Sequence, residues 1–363
     1  MSSDAPVRRA PAAAAARPTP AELPLGTGRV EFATFGPFEL ESGASLPELT
    51  IAYRHDGPGP RDAAQVLVVH ALTGSADAAA DWWAPLIGPG RAIDTDRLGV
   101  LCANLLGGCY GSTGPTSRNP VTGAPYGSAF PDVTTRDQAR AQWLLLDALG
   151  IERLDMVAGG SLGGMVVLEI GALRPTSVRS LLPIAAPMAT GPLAMAWNHI
   201  QKQLIARLGD EGMALARQLA MTTYRSEVDF DERFGRNREA DGTLSIVSYL
   251  EYQGTKLVDR FDRETYRVLA GAMDSHDVAR RRGDVVSALG PLGSAGARLT
   301  GVGIGGDILY GPGQVRRLVE AADRAGLRTA YREIRSTKGH DAFLVEWPQM
   351  TDLIREALGM TGD

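Results

Sequence analysis

Four apolar runs set narrow limits on how this 363-residue chain can fold: VLVVH at 66–70, GVLCANLLG at 99–107, LDMVAGG at 154–160 and VRSLLPIAA at 178–186. None alternates between apolar and polar residues. A short, continuous apolar run fits a strand buried on both faces, which points to a parallel sheet covered by helices on either side. Between the second and third runs, residues 135–149 carry a helical pattern that opens after Pro131 and closes at Gly150. Strand, helix and strand joined by short loops define an α/β domain. Ahead of these runs, residues 29–40 and 48–54 alternate instead, with Val30, Phe32, Phe38 and Leu40 apolar, and are expected to open the sheet as antiparallel strands.

After Ala186 no buried strand is evident until about residue 290, while charged helical segments accumulate at 210–223 and 263–273. Strand signals return at 298–304 and 329–334, with a helix at 314–325 between them and a last one at 347–358. The expected organisation is a tail at 1–24, a core at 25–186, a helical cap at 187–290 and the rest of the core at 291–363. An apolar content of 44% suits one large domain with an insertion.

A net charge of −5 offers no basic field for a nucleic-acid backbone or an anionic membrane surface. Neither partner is expected. Residues 1–24 carry Arg8, Arg9 and an alanine run, but Pro11, Arg17, Pro18 and Pro20 break the run before it reaches the length of an export signal. They are read as disordered. No stretch approaches the ~18 apolar residues of a membrane span. Cys102 and Cys109 have no partner pair at zinc spacing, so they read as reduced thiols of a cytoplasmic protein with no metal site.

The third run leads directly into VAGGSLGGM at 157–165. Alone, GxSxG is a weak signal, since a glycine turn can pack a helix on a strand around a passive serine. Here a strand precedes the motif and an apolar helix follows it to Leu173, with Pro175 just beyond. Strand, sharp turn and helix together describe an elbow that exposes the hydroxyl of Ser161.

A serine nucleophile needs a histidine to take its proton and a carboxylate to orient that histidine. Of five histidines, His55 and His70 precede the serine, whereas this class of sheet carries acid and histidine after it. His199 and His276 fall in the insertion, where surface or helix-terminal roles are expected. His340 remains, in the loop STKGHDAF, and the acid before it is Asp307 in GIGGDILYGP. Asp307 could be a turn cap and His340 a plain loop residue. Their order, each at the carboxyl end of a separate expected strand, favours a triad of Ser161, Asp307 and His340. The oxyanion donors are then the amide of Leu162, next to the serine, and that of Leu72 in HALTGS after the first buried run.

The segments HALTGSA, DWWAPLIGPGRAIDTDR, NLLGGCYGSTGPTSRNPVTGAPYG, FPDVTTRDQARAQ, AGGSLGGM, TYRSE, RFGR, SYLEYQGTKLVDRFD and GHDAFL closely resemble the homoserine O-acetyltransferase family, from about residue 45 to the C-terminus. The resemblance implies an α/β-hydrolase fold with a helical cap. It also implies an acetyl group moved from acetyl-CoA, a cosubstrate rather than a tightly bound cofactor, to the hydroxyl of L-homoserine through an acyl-Ser161. In this scheme His340 acts as base and then acid, and Asp307 orients it. Family members are typically homodimers joined through the cap.

Two acceptor contacts follow from the same resemblance. Asp341 matches the residue expected to hold the amino group, and Lys202 stands in WNHIQKQLI where the family has an arginine for the carboxylate. Lysine supplies the charge without the bidentate fork. The family's segment after this helix is shortened here, which leaves L-serine or another alcohol as an alternative acceptor; succinyl-CoA as donor and an esterase-like hydrolase stand as separate alternatives.

Overall fold

The computed structural model describes residues 23–360. Its centre is one sheet of eight strands: β1 (Val30–Phe35), β2 (Leu49–Asp56), β3 (Ala64–Val69), β4 (Leu98–Ala103), β5 (Met156–Gly160), β6 (Ser180–Ile184), β7 (Arg298–Ile304) and β8 (Arg328–Ile334). Their spatial order is β1-β2-β4-β3-β5-β6-β7-β8. The β1–β2 and β2–β4 pairs are antiparallel, and every pair beyond β4 is parallel. The two alternating segments thus form the antiparallel edge, and the four continuous runs fill the interior.

Successive residues in these strands serve opposite layers. Leu67, Leu101, Val157, Leu181 and Leu299 join one buried cluster. Val66, Val68, Val100, Met156, Ala158, Leu182 and Val302 join the other, around Trp83, Phe343 and Ile354. With both faces covered, a polar residue at either parity would be buried without a partner, which is why the runs do not alternate.

Two helices precede the insertion, α1 (Thr135–Ala148) and α2 (Leu162–Leu173). A reciprocal capping box starts α1: the Thr134 hydroxyl accepts from the Asp137 amide, and the Asp137 carboxylate accepts from the Thr134 amide. Such caps contribute about 1 kcal/mol each. The insertion then supplies α3 (Pro192–Leu208), α4 (Asp210–Tyr224), α5 (Glu227–Arg233), α6 (Ser245–Val258) and α7 (Arg263–Asp274). Only Gly209, at φ +62°, separates α3 from α4. The shortened connection is therefore a one-residue reversal, and α3 and α4 pack along their length.

The remaining helices are α8 (Val285–Ser294), α9 (Pro312–Arg324) and α10 (Trp347–Leu358). Helix α8 packs on α2 and α9, so it belongs to the core. A cap boundary at 290 would cut this helix, and the cap ends before it. At the other terminus, residues 1–22 of the expected tail lie outside the described residues. Leu23 packs on the core, and the Pro24 carbonyl accepts from the Tyr53 hydroxyl at 2.9 Å, so these two residues of the expected tail belong to the core.

Candidate active site

Ser161 directly follows β5 and caps α2 with φ 57° and ψ −125°, a left-handed conformation that a side chain rarely adopts. Such strain costs on the order of 1–3 kcal/mol and persists only where packing dictates it. Two glycines allow that packing. A Cβ at Gly163 would lie 2.2 Å from the Val69 carbonyl oxygen, so α2 can start hard against the end of β3. A Cβ at Gly160 would strike the ring of Phe343, three residues beyond His340.

The structure joins His340 to Asp307. Oδ2 of Asp307 accepts from Nδ1 of His340 at 2.7 Å. The other oxygen, Oδ1, accepts from the amides of Leu309 and Tyr310 at 2.8 and 3.0 Å. The carboxylate is thus held at both oxygens, and the imidazole takes its orientation from it. Burial pulls the imidazole towards neutrality, but the charge and hydrogen bond of Asp307, with the charge of Asp341, outweigh it and hold His340 above the ordinary histidine value. Nε2 of His340 is buried without a hydrogen-bond partner among the described residues. Ser161 and His340 line the same cleft of 660 Å³.

Leu72 follows β3 and also lines this cleft. Neither its amide nor that of Leu162 donates to an acceptor among the described residues. Both are free for an oxyanion, and the N-terminal end of α2 adds its dipole at Leu162. His70 holds the loop between them. Its Nδ1 donates to the Ala71 carbonyl at 2.8 Å and its Nε2 accepts from the Leu105 amide at 2.9 Å. Full burial drives its value down to about 4, so it is a neutral structural residue, as expected for the end of a strand. His276 is likewise buried, at the end of α7, donating from Nε2 to the Pro187 carbonyl; it is helix-terminal and not at the surface. Burial raises the thiol of Cys109, which disfavours a thiolate there.

Asp341 lines the cleft beside His340, 3.4 Å from the guanidinium of Arg225. Lys202 does not line it. Its ammonium lies 2.5 Å from Asp274, which also accepts from Asn198 at 2.7 Å. Asn198 and Lys202 are one turn apart on α3, and both reach Asp274 at the end of α7. Lys202 is thus tied to Asp274 and does not join Ser161 and His340 in the cleft lining. An arginine that does line the cleft is Arg217 on α4, which makes no ion pair or hydrogen bond among the described residues and sits over the Tyr224 ring at 5.3 Å. A signal for it exists in the sequence: Arg217 interrupts the otherwise apolar stripe Met213, Ala216, Ala220 and Met221.

The sheet order, the elbow and the helical insertion define an α/β-hydrolase-fold protein, and the sequence profile of the alpha/beta hydrolase fold matches residues 65–233. A homoserine O-acetyltransferase from Moorella thermoacetica is 43% identical over 351 residues, covering 88% of this chain and 92% of that protein. The chain belongs to the homoserine O-acetyltransferase family. Among solved structures, a homoserine O-acetyltransferase from Bacillus anthracis superposes with a TM-score of 0.84 at 23% identity, covering 91% of this chain and 97% of that one. Esterase E22 superposes with a TM-score of 0.80 at 23% identity, over 91% of this chain and 100% of that one. These two likenesses concern the fold.

Proposed function

We propose that this protein transfers an acetyl group from acetyl-CoA to the hydroxyl of L-homoserine, the acylation that leads into methionine biosynthesis. One observation carries the reading beyond family membership. The cleft that holds Ser161 and His340 also presents an unpaired Arg217 and the carboxylate of Asp341, one charge for each end of a zwitterionic amino acid. Esters without such charges would leave Arg217 unused.

Nε2 of His340 takes the proton of Ser161 Oγ as the oxygen attacks the thioester carbonyl. The amides of Leu72 and Leu162 hold the oxyanion. Collapse breaks the C–S bond, and the thiol leaves with the proton from His340. The acceptor hydroxyl then gives its proton to His340 and attacks the acetyl-Ser161 ester; collapse returns the proton to the serine. Asp307 stabilises the imidazolium formed in each half. Arg217, in place of Lys202, binds the acceptor carboxylate and Asp341 its ammonium, which fixes the hydroxyl at the ester. Acetyl-CoA is a cosubstrate, and no tightly bound cofactor is required.

The protein is proposed to act in the cytoplasm, where acyl-CoA is made, as a homodimer joined through the cap. Leu193, Ile200 and Leu208 on α3 and Tyr252 on α6 are exposed apolar residues on that cap. Among the described residues no helix is long and apolar enough to cross a membrane.

The test is free-thiol release from acetyl-CoA and from succinyl-CoA, each with L-homoserine, L-serine or no acceptor. Release from acetyl-CoA that depends on homoserine is the expected result. Release indifferent to every acceptor would instead identify a hydrolase, the activity named for esterase E22.

A further inference from the structure

The cleft runs from the buried pair Ser161 and His340 to exposed side chains contributed by the end of α6. Two of these are cations, Lys256 and Arg260, four residues apart. Neither forms an ion pair among the described residues, although Asp259 and Asp262 are close in sequence. Arg260 is nevertheless held in place. Its Nη1 donates to the Thr73 carbonyl at 3.0 Å and to the Tyr110 hydroxyl at 3.0 Å, and its Nη2 donates to the Thr73 hydroxyl at 3.2 Å. Tyr110 in turn donates to the Arg260 carbonyl at 2.8 Å. All of these partners are neutral, so a positioned guanidinium stands at the opening of the cleft with no carboxylate in ion-pair contact among the described residues. Of the carboxylates lining the cleft, Asp77 is paired with Arg54 and Asp341 lies 3.4 Å from Arg225, while Asp81 is exposed and forms no ion pair among the described residues.

We propose that Lys256 and Arg260 form the subsite for the donor's phosphate groups: a nucleoside diphosphate bound at the opening, with its uncharged arm reaching inward to present the thioester to Ser161. The proposal rests on reading the protein as a thioester-dependent acyltransferase. The distribution of charge suits this ligand. An acceptor amino acid is small and zwitterionic and is served by Arg217 and Asp341 deep in the cleft. It has no group that would reach a second pair of cations. A donor carrying several phosphate charges does, and guanidinium and ammonium are the groups that bind phosphate best. Arg260 also ties this subsite to the Leu72 loop through Thr73, the residue after the expected oxyanion donor.

The experiment compares acylation of Ser161, without acceptor, by acetyl-CoA and by acetyl-pantetheine, which carries the same thioester and arm but no phosphate. The readout is the ratio of the two second-order rate constants. Lys256→Ala and Arg260→Gln should each lower the preference for acetyl-CoA by about tenfold, the double variant should nearly abolish it, and added salt should erode it in the wild type. A ratio unchanged by the variants, even with both rates reduced, overturns the subsite and leaves Arg260 as a brace for the Thr73 loop. Lys256 makes no hydrogen bond in the structure, so Lys256→Ala gives a reading even where Arg260→Gln folds poorly. Failure of the underlying reading looks different: a wild-type enzyme that p-nitrophenyl acetate acylates and acetyl-CoA does not.

Discussion

The carboxylate of Asp229, on helix α5 of the cap, lies 2.6 Å from the ammonium of Lys338, two residues ahead of His340. Asp229 is fully buried, with Arg225 at 3.6 Å and Arg233 at 3.7 Å. Arg225 also reaches Asp341, and the Ser226 hydroxyl donates to the Thr337 carbonyl. The cap therefore grips the loop that carries the histidine, in addition to covering the cleft. Gly339 is needed at this contact, because a Cβ there would lie 2.7 Å from the Ser226 amide nitrogen.

Removing the charge at the centre of this grip should cost more than removing any one cation. Asp229→Asn is expected to lower the unfolding free energy by about 1–3 kcal/mol, because three cations lose their common partner. Lys338→Met, at a site 37% exposed, should cost under about 1 kcal/mol. Urea unfolding of the two variants measures both, and equal losses would contradict the central role of Asp229.

Acylation should require neutral His340. Since Asp307 and Asp341 hold its value above 6.5, the acid limb of the acylation rate should fall above pH 6.5. Fold stability runs the opposite way: the charged pair's contribution is complete below the unfolded value and is lost as pH rises through the folded one. Asp307→Asn should move the acid limb down and reduce kcat by roughly 10⁴-fold. A pH–rate profile in which this variant keeps the wild-type limb would assign the titration to another group.

Acid should destabilise the protein through two other histidines. His70 and His276 are fully buried with values near 4 against 6.5 when free, so the unfolded chain takes up protons the native state refuses. Each such shift removes about 3 kcal/mol of stability between pH 6.5 and 4. Urea midpoints measured across that range should drop steeply. A flat profile would mean that both rings protonate in the native state, and a drop of half the size that one of them does.

The acceptor site separates Arg217 from Lys202. Arg217→Ala should raise the homoserine KM by about tenfold or more and spare acylation by acetyl-CoA, while Lys202→Ala should leave that KM within about twofold. Asp341→Asn should weaken amino-acid acceptors more than alcohols lacking an amine. Steady-state kinetics on both half-reactions decides, and a larger KM effect at Lys202 would restore the original expectation.

Gly163→Ala should be among the most damaging single substitutions. Its methyl group would overlap the Val69 carbonyl, so either α2 or β3 must move, at a cost of about 3 kcal/mol or more. Mass spectrometry should detect the acetyl adduct on wild type, neither on Ser161→Ala nor at comparable yield on Gly163→Ala. Full acylation of the glycine variant would show that the elbow tolerates a Cβ.

The amino-acid sequence alone specified the interior strands, because an unalternating run can be satisfied only by burial on both faces. It specified the elbow as well, since glycines on both sides of Ser161 matter locally, and it paired Asp307 with His340 through their order along the chain. The split between Lys202 and Arg217 was decided elsewhere. Both are cations on cap helices, and which one meets the cleft depends on how α3 and α4 are rotated against α7 and the His340 turn. That rotation follows from the single-residue reversal at Gly209 and from packing between elements distant in sequence. The grip of Asp229 on Lys338, and the placing of Arg260 against Thr73, join residues 109 and 187 positions apart. Hydrophobic periodicity reports which face of an element is buried, but the partner it is buried against is set by tertiary packing.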